Sequence, residues 1–337
     1  MKLATYRDGS RDGQLVVVSR DLGLAHYATG VASRLQQVLD DWDFLAPQLH
    51  DLYVQLNTHR APHPFPFDPR QCLAPLPRAY HWSQAAAYLA AQERQYQLRQ
   101  QALPAHFRTQ PQLHCGSGDA FWGPTDTVVL PSHTPGLDLQ AGLAVITGDI
   151  PRGSSPAQAL TAVRLLMLTG SVVLPPPTPH AAATSEWLAN PLGTACSPVA
   201  ITPDELGPAW QEGRVHLTLQ MACNGRKIGL CDTGPTMHFH FGQLLAHGCK
   251  TQPWHAGAVL GSGPVSHSGT ATPQGPTDWP QGACSLTDKR AIETLHQGRV
   301  RTPYLRHTDT VRAEMKGRDG HNLFGTLELT MAAPDET

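Results

Sequence analysis

The run Leu143-Ala144-Val145-Ile146-Thr147, closed by Gly148-Asp149, decides the fold class of this chain. Apolar and β-branched residues bounded by turn formers are typical of a buried strand. Shorter runs of the same kind occupy residues 127–130, 172–174 and 215–221. The chain has 30 Gly and 30 Pro in 337 residues but only 15% charged residues, which favours turns and short strands over long surface helices. The sequence therefore predicts an α+β, β-rich protein.

The segments before this run predict a small N-terminal α+β domain. Residues 3–6 and 14–18 alternate around Gly-bearing turn residues, which indicates a β-hairpin. From residue 31 to 56, apolar side chains recur every three or four positions, as in one or two amphipathic helices. Residues 61–77 contain six prolines and are interpreted as a linker. We place the domain boundary here, with residues 1–73 before it and residues 74–332 after it.

The larger second domain is expected to contain three helices. Residues 83–102 are rich in Ala, Gln, Glu, Arg and Leu and lack both Gly and Pro. Residues 156–168 and 241–249 are the other two helical segments. The strand-like runs lie between these helices.

Charge and cysteine content exclude several classes of protein. The chain has 25 Lys and Arg against 27 Asp and Glu, so nucleic acid is not an expected partner. It has no apolar run of bilayer length and no secretory h-region, so we expect a cytoplasmic protein without membrane association. The seven cysteines form no C-x-x-C pair, which argues for reduced thiols and against a Cys-type zinc site.

Isolated chemical motifs are few. His238 and His240 have the spacing that places two rings on one face of a strand, but no third metal ligand lies near them. His114-Cys115 pairs a base with a nucleophile, although neighbours on a strand point to opposite faces. Residues 261–263 and 115–118 match neither a nucleophile elbow nor a phosphate loop and are interpreted as tight turns.

Six stretches stand out in order and spacing: residues 74–80 (APLPRAY), 123–124 with 128–132, 144–149 (AVITGD), 239–244 (FHFGQL), 261–266 and 289–294 (KRAIET). Taken together they resemble the fumarylacetoacetate hydrolase family, from residue 1 to about 330. The resemblance implies a small N-terminal domain followed by a β-roll catalytic domain, usually in a homodimer. It also places His240 in a framework segment and not at a metal.

The metal ligands that the resemblance implies are absent. Members of the family hold Mg²⁺ or Ca²⁺ with carboxylates, since these hard cations need charged oxygen ligands. The first carboxylate position falls on Gln84, the E-x-E pair on Gln140 and Gly142, and the last position on Ser171. We therefore expect no metal ion and no other cofactor here.

Other catalytic positions of the family have changed as well. The expected general base falls on Ala91, and no Lys stands near residues 190–192, where the family has one. The Thr of the G-[ST]-G-T motif is replaced by Pro264. The family's hydrolytic mechanism is therefore not carried over.

Our main hypothesis is a metal-independent enzyme on this scaffold, in specialised biosynthesis. Its substrate would be a β-dicarbonyl, enol or polyketide-like molecule, and its reaction of the cyclase, isomerase, lyase or hydrolase type. Neutral donors polarise a carbonyl while a His moves a proton. Because Gly116 and Gly118 let the chain bend, His114 is the preferred proton-transfer residue, and Cys115 is the second candidate. His81, Gln84, Gln140 and Ser171 are the expected substrate-binding residues.

Two alternatives stay open. The first is a non-catalytic relative that binds a small molecule or a partner protein. The proline-rich loop from Pro175 to Pro179 would then form either a pocket wall or a contact surface. The second is a metal-dependent C–C bond hydrolase, which would need carboxylates from elsewhere, such as Asp119, Asp126 or Asp138.

Overall fold

The protein is described here as a computed structural model that covers residues 1–129, 136–175, 191–267 and 282–334. Its helices are α1 (Leu35–Asp40), α2 (Trp42–Asn57), α3 (Leu89–Leu98), α4 (Pro156–Thr161), α5 (Phe241–Gly248) and α6 (Leu286–Gln297), with 3₁₀ turns at Pro69–Gln71, Ala105–Arg108 and Pro203–Ala209. Its strands are β1 (Lys2–Tyr6), β2 (Gln14–Val18), β3 (Leu24–Tyr27), β4 (Phe65–Pro66), β5 (His81–Ala85), β6 (Leu113–Gly116), β7 (Thr127–Val129), β8 (Asp138–Thr147), β9 (Val163–Val173), β10 (Pro191–Cys196), β11 (Ala200–Ile201), β12 (Trp210–Gln211), β13 (Arg214–Val215), β14 (Thr218–Cys223), β15 (Arg226–Asp232), β16 (Ala258–Gly261), β17 (Thr310–Met315) and β18 (Leu327–Ala332). Of the helices in these ranges, none has the length and apolar character that crossing a bilayer requires.

The long antiparallel pair β8 and β9 lies at the centre of the larger sheet. Its register runs from Asp138 opposite Val173 to Thr147 opposite Val163. Both strands are buried almost throughout and bear large apolar residues on both faces, as expected for strands covered from two sides. The strand order of this sheet is β4-β3-β2-β1-β11-β9-β8-β16-β5-β6, with β10 also paired to β9.

The N-terminal segment joins the same sheet. The predicted hairpin is confirmed as β1 and β2, and β1 continues the sheet by pairing with β11, Lys2 opposite Ile201. Helices α1 and α2 cover one face of the sheet, where Leu35 and Leu49 share a core with Ile146 of β8. The division at residue 73 stays a prediction, and the two segments share hydrogen-bonded strands.

A second, five-stranded sheet covers the opposite face. Its order is β15-β14-β17-β18-β7. Leu219 and Leu329 from this sheet share the main hydrophobic core with Leu143 and Leu168 of the larger sheet. This arrangement confirms the strand-rich α+β class.

Two of the predicted helices are only partly correct. The segment 83–102 begins as strand β5, and the helix starts at Leu89, because residues 81–84 pair with β16. The segment 156–168 ends its helix at Thr161 and continues as β9. The third predicted helix, 241–249, is confirmed as α5.

The segment 61–77 is not a free linker. Phe65 and Pro66 form strand β4 against β3, and Ala74 and Leu76 are buried in the core beneath the N-terminal helices. Prolines suit such a short edge strand because they need no ladder hydrogen bond. The stretch therefore belongs to the folded body of the protein.

Candidate active site

Strand β5 positions the candidate residues. It lies between β16, to which it is parallel, and β6, which ends the sheet. Gln84 of β5 is directly opposite His114 of β6, and Ser83 is opposite Cys115. Because side chains alternate along a strand while opposite residues share a face, these two pairs lie on opposite faces of the sheet.

A chain of neutral hydrogen bonds starts at Gln84. The Ser171 hydroxyl donates to the Gln84 Oε1 atom over 3.2 Å, and the Ser171 and Thr194 hydroxyl oxygens are 2.9 Å apart. A hydroxyl has one proton to donate, so Thr194 donates to Ser171. This order fixes the Gln84 amide by its oxygen, and in the part of the chain that the structure describes its two N–H groups have no acceptor. Gln140 is directly opposite Ser171 on β8 and therefore lies on the same face.

His114 faces the same side as Gln84. Its ring is half-buried, and this burial lowers the pKa of His114 below its usual value of 6.5. Among the described residues, no hydrogen bond to the His114 ring is found. A neutral imidazole beside a free amide donor can accept a proton from a bound molecule while the amide holds an oxygen.

Gly142 has no room for a side chain. A Cβ atom at this position would lie 2.2 Å from the backbone oxygen of Gly263 and 3.0 Å from the Ser262 Oγ atom. Gly263 has a φ of +75°, so a left-handed backbone holds that carbonyl in place. The second Glu of an E-x-E motif could not be accommodated here without moving the chain.

The residues at these positions do not fit the family's metal ion. Gln84, Gln140 and Ser171 supply neutral oxygens, and Gly142 supplies no side chain. Mg²⁺ and Ca²⁺ lose hydration water on binding and need carboxylate charge to offset that loss. In the described parts of the chain, no three His, Cys, Asp or Glu side chains come together as a metal cluster.

The carboxylates considered as replacement ligands are engaged elsewhere. Asp119 accepts a hydrogen bond from Ser117, and Asp126 pairs with Arg7. Asp138 is fully buried, where it accepts hydrogen bonds from the Ser285 hydroxyl and the Leu286 N–H. Each carboxylate is therefore committed to a contact that does not involve Gln84.

His81 and Cys115 lie on the other face of the sheet. The Cys115 Sγ atom is 3.5 Å from the Ser83 Oγ atom, which is 2.8 Å from the His81 Nε2 atom. The His81 ring packs on Trp254, with the ring centroids 4.3 Å apart. The six predicted site residues thus form two groups. His114, Gln84, Gln140 and Ser171 are together, whereas His81 and Cys115 are separated from them by the sheet.

The H-x-H pair, His238 and His240, does not lie on the strand that its spacing predicted. His240 precedes α5 as its N-cap residue, and His238 Nε2 contacts the Arg108 backbone oxygen over 2.8 Å. Residues 238 and 239 form a bend and not a strand. The proline-rich loop from residue 176 to 179 lies outside the described residues.

Two residues of these groups were not singled out from the sequence. Ser83 precedes Gln84 on β5, so the alternation of side chains along a strand places it on the opposite face. The sequence pattern did not reveal this, because it predicts a helix for residues 83–102. Thr194 lies on β10, and its place beside Ser171 follows from the pairing of β10 with β9. A groove of about 540 Å³ elsewhere, lined by Thr218, Gln220 and Glu314 among others, contains none of the candidate residues.

Comparisons with known proteins agree with this architecture. The sequence model described as fumarylacetoacetase N-terminal domain 2 matches residues 1–78. The model described as fumarylacetoacetate (FAA) hydrolase C-terminal matches residues 81–332. A search of curated proteins finds no match.

Solved structures of similar fold cover the whole chain. Maleylpyruvate hydrolase from Sphingobium sp. SYK-6 aligns with a TM-score of 0.63 at 14% identity, over 99% of this chain and 100% of that one. Fumarylacetoacetate hydrolase from Exiguobacterium antarcticum aligns with a TM-score of 0.63 at 16% identity, over 99% of each chain. A 2-hydroxyhepta-2,4-diene-1,7-dioate isomerase from Mycobacterium marinum has a TM-score of 0.59 at 13% identity, with full coverage of both chains. At such identities the likeness is one of fold.

Proposed function

We propose that this chain, which belongs to the fumarylacetoacetate hydrolase family, is a metal-independent enzyme that acts on β-dicarbonyl or enol substrates. The single observation that carries this proposal is the chain from Thr194 through Ser171 to Gln84, with His114 directly opposite Gln84. Structural relatives include hydrolases and an isomerase of dicarbonyl compounds. The class of substrate is taken from them, whereas the mechanism is taken from the residues of this chain.

The reaction that these residues support best is an isomerisation by proton transfer. His114 removes a proton from the carbon between two carbonyl groups, and the electrons of that C–H bond form a C=C bond. The carbonyl π electrons move to oxygen, where the free N–H group of Gln84 donates a hydrogen bond. Protonated His114 then returns the proton to the substrate at carbon or oxygen, so the step needs no other reactant.

Two observations support metal independence. Gln84, Gln140 and Ser171 offer only neutral oxygen atoms, and the packing at Gly142 leaves no space for a carboxylate side chain. Restoring a carboxylate there would require the Gly263 backbone to move. The Sphingobium hydrolase is known in complex with manganese(II) ion and pyruvate, so a relative of the same fold binds a metal. Protein purified without chelator is expected to contain far less than one Mg, Ca or Mn per chain. A near-stoichiometric metal lost together with activity on chelation would contradict the proposal.

Exchange of substrate hydrogen for deuterium tests the reaction class. In D₂O, the protein should accelerate exchange at the central carbon of 1,3-dicarbonyl compounds, maleylpyruvate among them, as followed by NMR. The His114→Ala variant should lose this acceleration, and His106→Ala, which changes an exposed His of a 3₁₀ turn, serves as its control. Wild-type protein that binds a compound without accelerating its exchange would argue against an enzyme.

The second candidate is a binding protein without turnover. The observation in its favour is the combined change at the family's base position, now Ala91, and at Gly142, where backbone fills the ligand position. The hydrogen-bonded chain at Gln84 would then serve to recognise a carbonyl group. The same exchange experiment separates the two candidates, because a binding protein gives a dissociation constant for the compound but no exchange.

A further inference from the structure

On the other face of the β5–β6 pair, Cys115, Ser83 and His81 provide a nucleophile, a relay and a base. Cys115 is exposed and carries the nucleophilic sulfur. Ser83 is 1% exposed, and its hydroxyl lies within hydrogen-bond distance of both the Cys115 sulfur and the His81 Nε2 atom. Proton transfer from a nucleophile to a base is the arrangement by which enzymes activate thiols and hydroxyls.

The surroundings allow His81 to act as the base. The ring is half-buried against Trp254, and burial lowers the pKa of His81, which keeps the imidazole neutral near pH 7. A neutral imidazole protonated on Nδ1 has a lone pair on Nε2, the atom that contacts Ser83. The direction of transfer is therefore from Cys115 to Ser83 to His81.

We propose that Cys115, Ser83 and His81 form a second reactive site, in which the thiol adds to α,β-unsaturated carbonyl compounds. As the Cys115 proton moves to the Ser83 oxygen, the Ser83 proton moves to His81. The sulfur forms a C–S bond with the β-carbon, and the π electrons shift to the carbonyl oxygen as an enolate. The proton on His81 returns through Ser83 to the α-carbon, which gives a thioether and leaves no atom unaccounted for.

The site is distinct from the one at Gln84. Ser83 and Gln84 are consecutive on β5, so their side chains leave the strand on opposite faces. The other cysteines of the chain offer an internal reference, since five are buried and Cys223 is intermediate in exposure. The reactivity of Cys115 is thus measurable within the same molecule.

Alkylation by N-ethylmaleimide, a cyclic α,β-unsaturated dicarbonyl, tests the relay in the full-length protein. The rate at each cysteine is read by peptide mass spectrometry at pH 7. Cys115 should react first, and Ser83→Ala should slow it roughly tenfold or more, by the usual magnitude of assisted proton transfer. Ser83→Thr, which keeps the hydroxyl, should restore the rate, and Ser33→Ala, at an exposed serine before α1, should leave it unchanged.

If Ser83→Ala does not fold, a second variant tests the same relay. His81→Phe keeps a ring against Trp254 but removes the base, and thermal unfolding shows whether the protein remains folded. A folded His81→Phe or Ser83→Ala protein whose Cys115 reacts as fast as in the wild type would overturn the relay. Equal rates at Cys115 and Cys223 would also overturn it. Loss of deuterium exchange, by contrast, bears only on the function proposed for the Gln84 face.

Discussion

Neutral hydrogen bonds connect the residues at the candidate site, where the family's carboxylates are expected. Ser171 is 1% exposed and Thr194 is 4% exposed, so their hydroxyl groups need partners inside the protein, and they find them in each other and in Gln84. Among the described residues, no acceptor is found for the amide N–H groups of Gln84. We infer that substrate specificity at this site depends on carbonyl oxygens.

His114→Ala should reduce the rate of proton transfer by roughly 10²-fold or more, as for loss of a general base. The variant should fold normally, because the ring has no hydrogen-bond partner among the described residues. Steady-state or exchange kinetics on a confirmed substrate provide the measurement. A rate within a few-fold of the wild-type rate would show that His114 does not transfer the proton.

The pH dependence of the rate follows from the lowered pKa of His114. The base must be neutral to accept a proton, so the rate should be constant near pH 7 and 8. It should fall only when the pH drops below 6.5, the usual value for His. A loss of rate on raising the pH from 6.5 to 8 would point to an acid in place of a base.

Gly142→Ala should destabilise the protein, because the new Cβ atom would meet the Gly263 carbonyl at 2.2 Å. Overpacking of this kind costs about 1–3 kcal/mol of unfolding free energy, and backbone atoms cannot rotate away. Gly30→Ala is the matched control, since nothing lies within 4 Å of its Cβ position. Chemical denaturation that gives equal midpoints for both variants would contradict the packing argument.

At the scale of elements, local patterns predicted the hairpin and α5 but not β5. The hairpin depends on neighbouring residues, and β1 and β2 pair through a short turn. The Ala- and Gln-rich sequence after residue 83 favours a helix locally, yet residues 81–84 become a strand because they pair with β16, far away in the chain. The same reason explains why Thr194 could not be assigned to the site. Its place depends on the pairing of β10 with β9.

Asp138 connects the central strand β8 to the start of α6 and should make stability depend on pH. Burial raises the pKa of Asp138 from 3.8 to about 6, although hydrogen bonds from Ser285 and Leu286 oppose this rise. Between these two values the folded protein binds a proton that the unfolded chain releases. The unfolding free energy should therefore fall by roughly 2 kcal/mol as the pH rises from 4 to 6.

Denaturation midpoints across this pH range, compared between the wild type and Asp138→Asn, measure the effect. The asparagine variant carries no titrating group at this position, so its curve should lack the fall assigned to Asp138. Parallel curves for the two proteins would show that Asp138 titrates alike in the folded and unfolded states.

At the scale of the whole molecule, we propose a homodimer. The resemblance implies a dimer, and a β-rich chain of this size has apolar surface and sheet edges to cover. The free edge at β6 and the exposed Tyr80 beside β5 are candidates for such a contact. Light scattering at micromolar concentration should give twice the chain mass of 36.4 kDa. A mass near that of one chain would refute the expectation.

The pairing of β1 with β11 has a consequence for how the chain acquires its structure during synthesis. Lys2 emerges from the ribosome first, and its partner Ile201 follows about two hundred residues later. Until then the hairpin of β1 and β2 presents an unpaired edge, which other nascent chains could pair with. Such distant pairing also delays folding, since a long loop must close first. Expression at low temperature, or with a chaperone that shields strand edges, should accordingly raise the yield of folded protein.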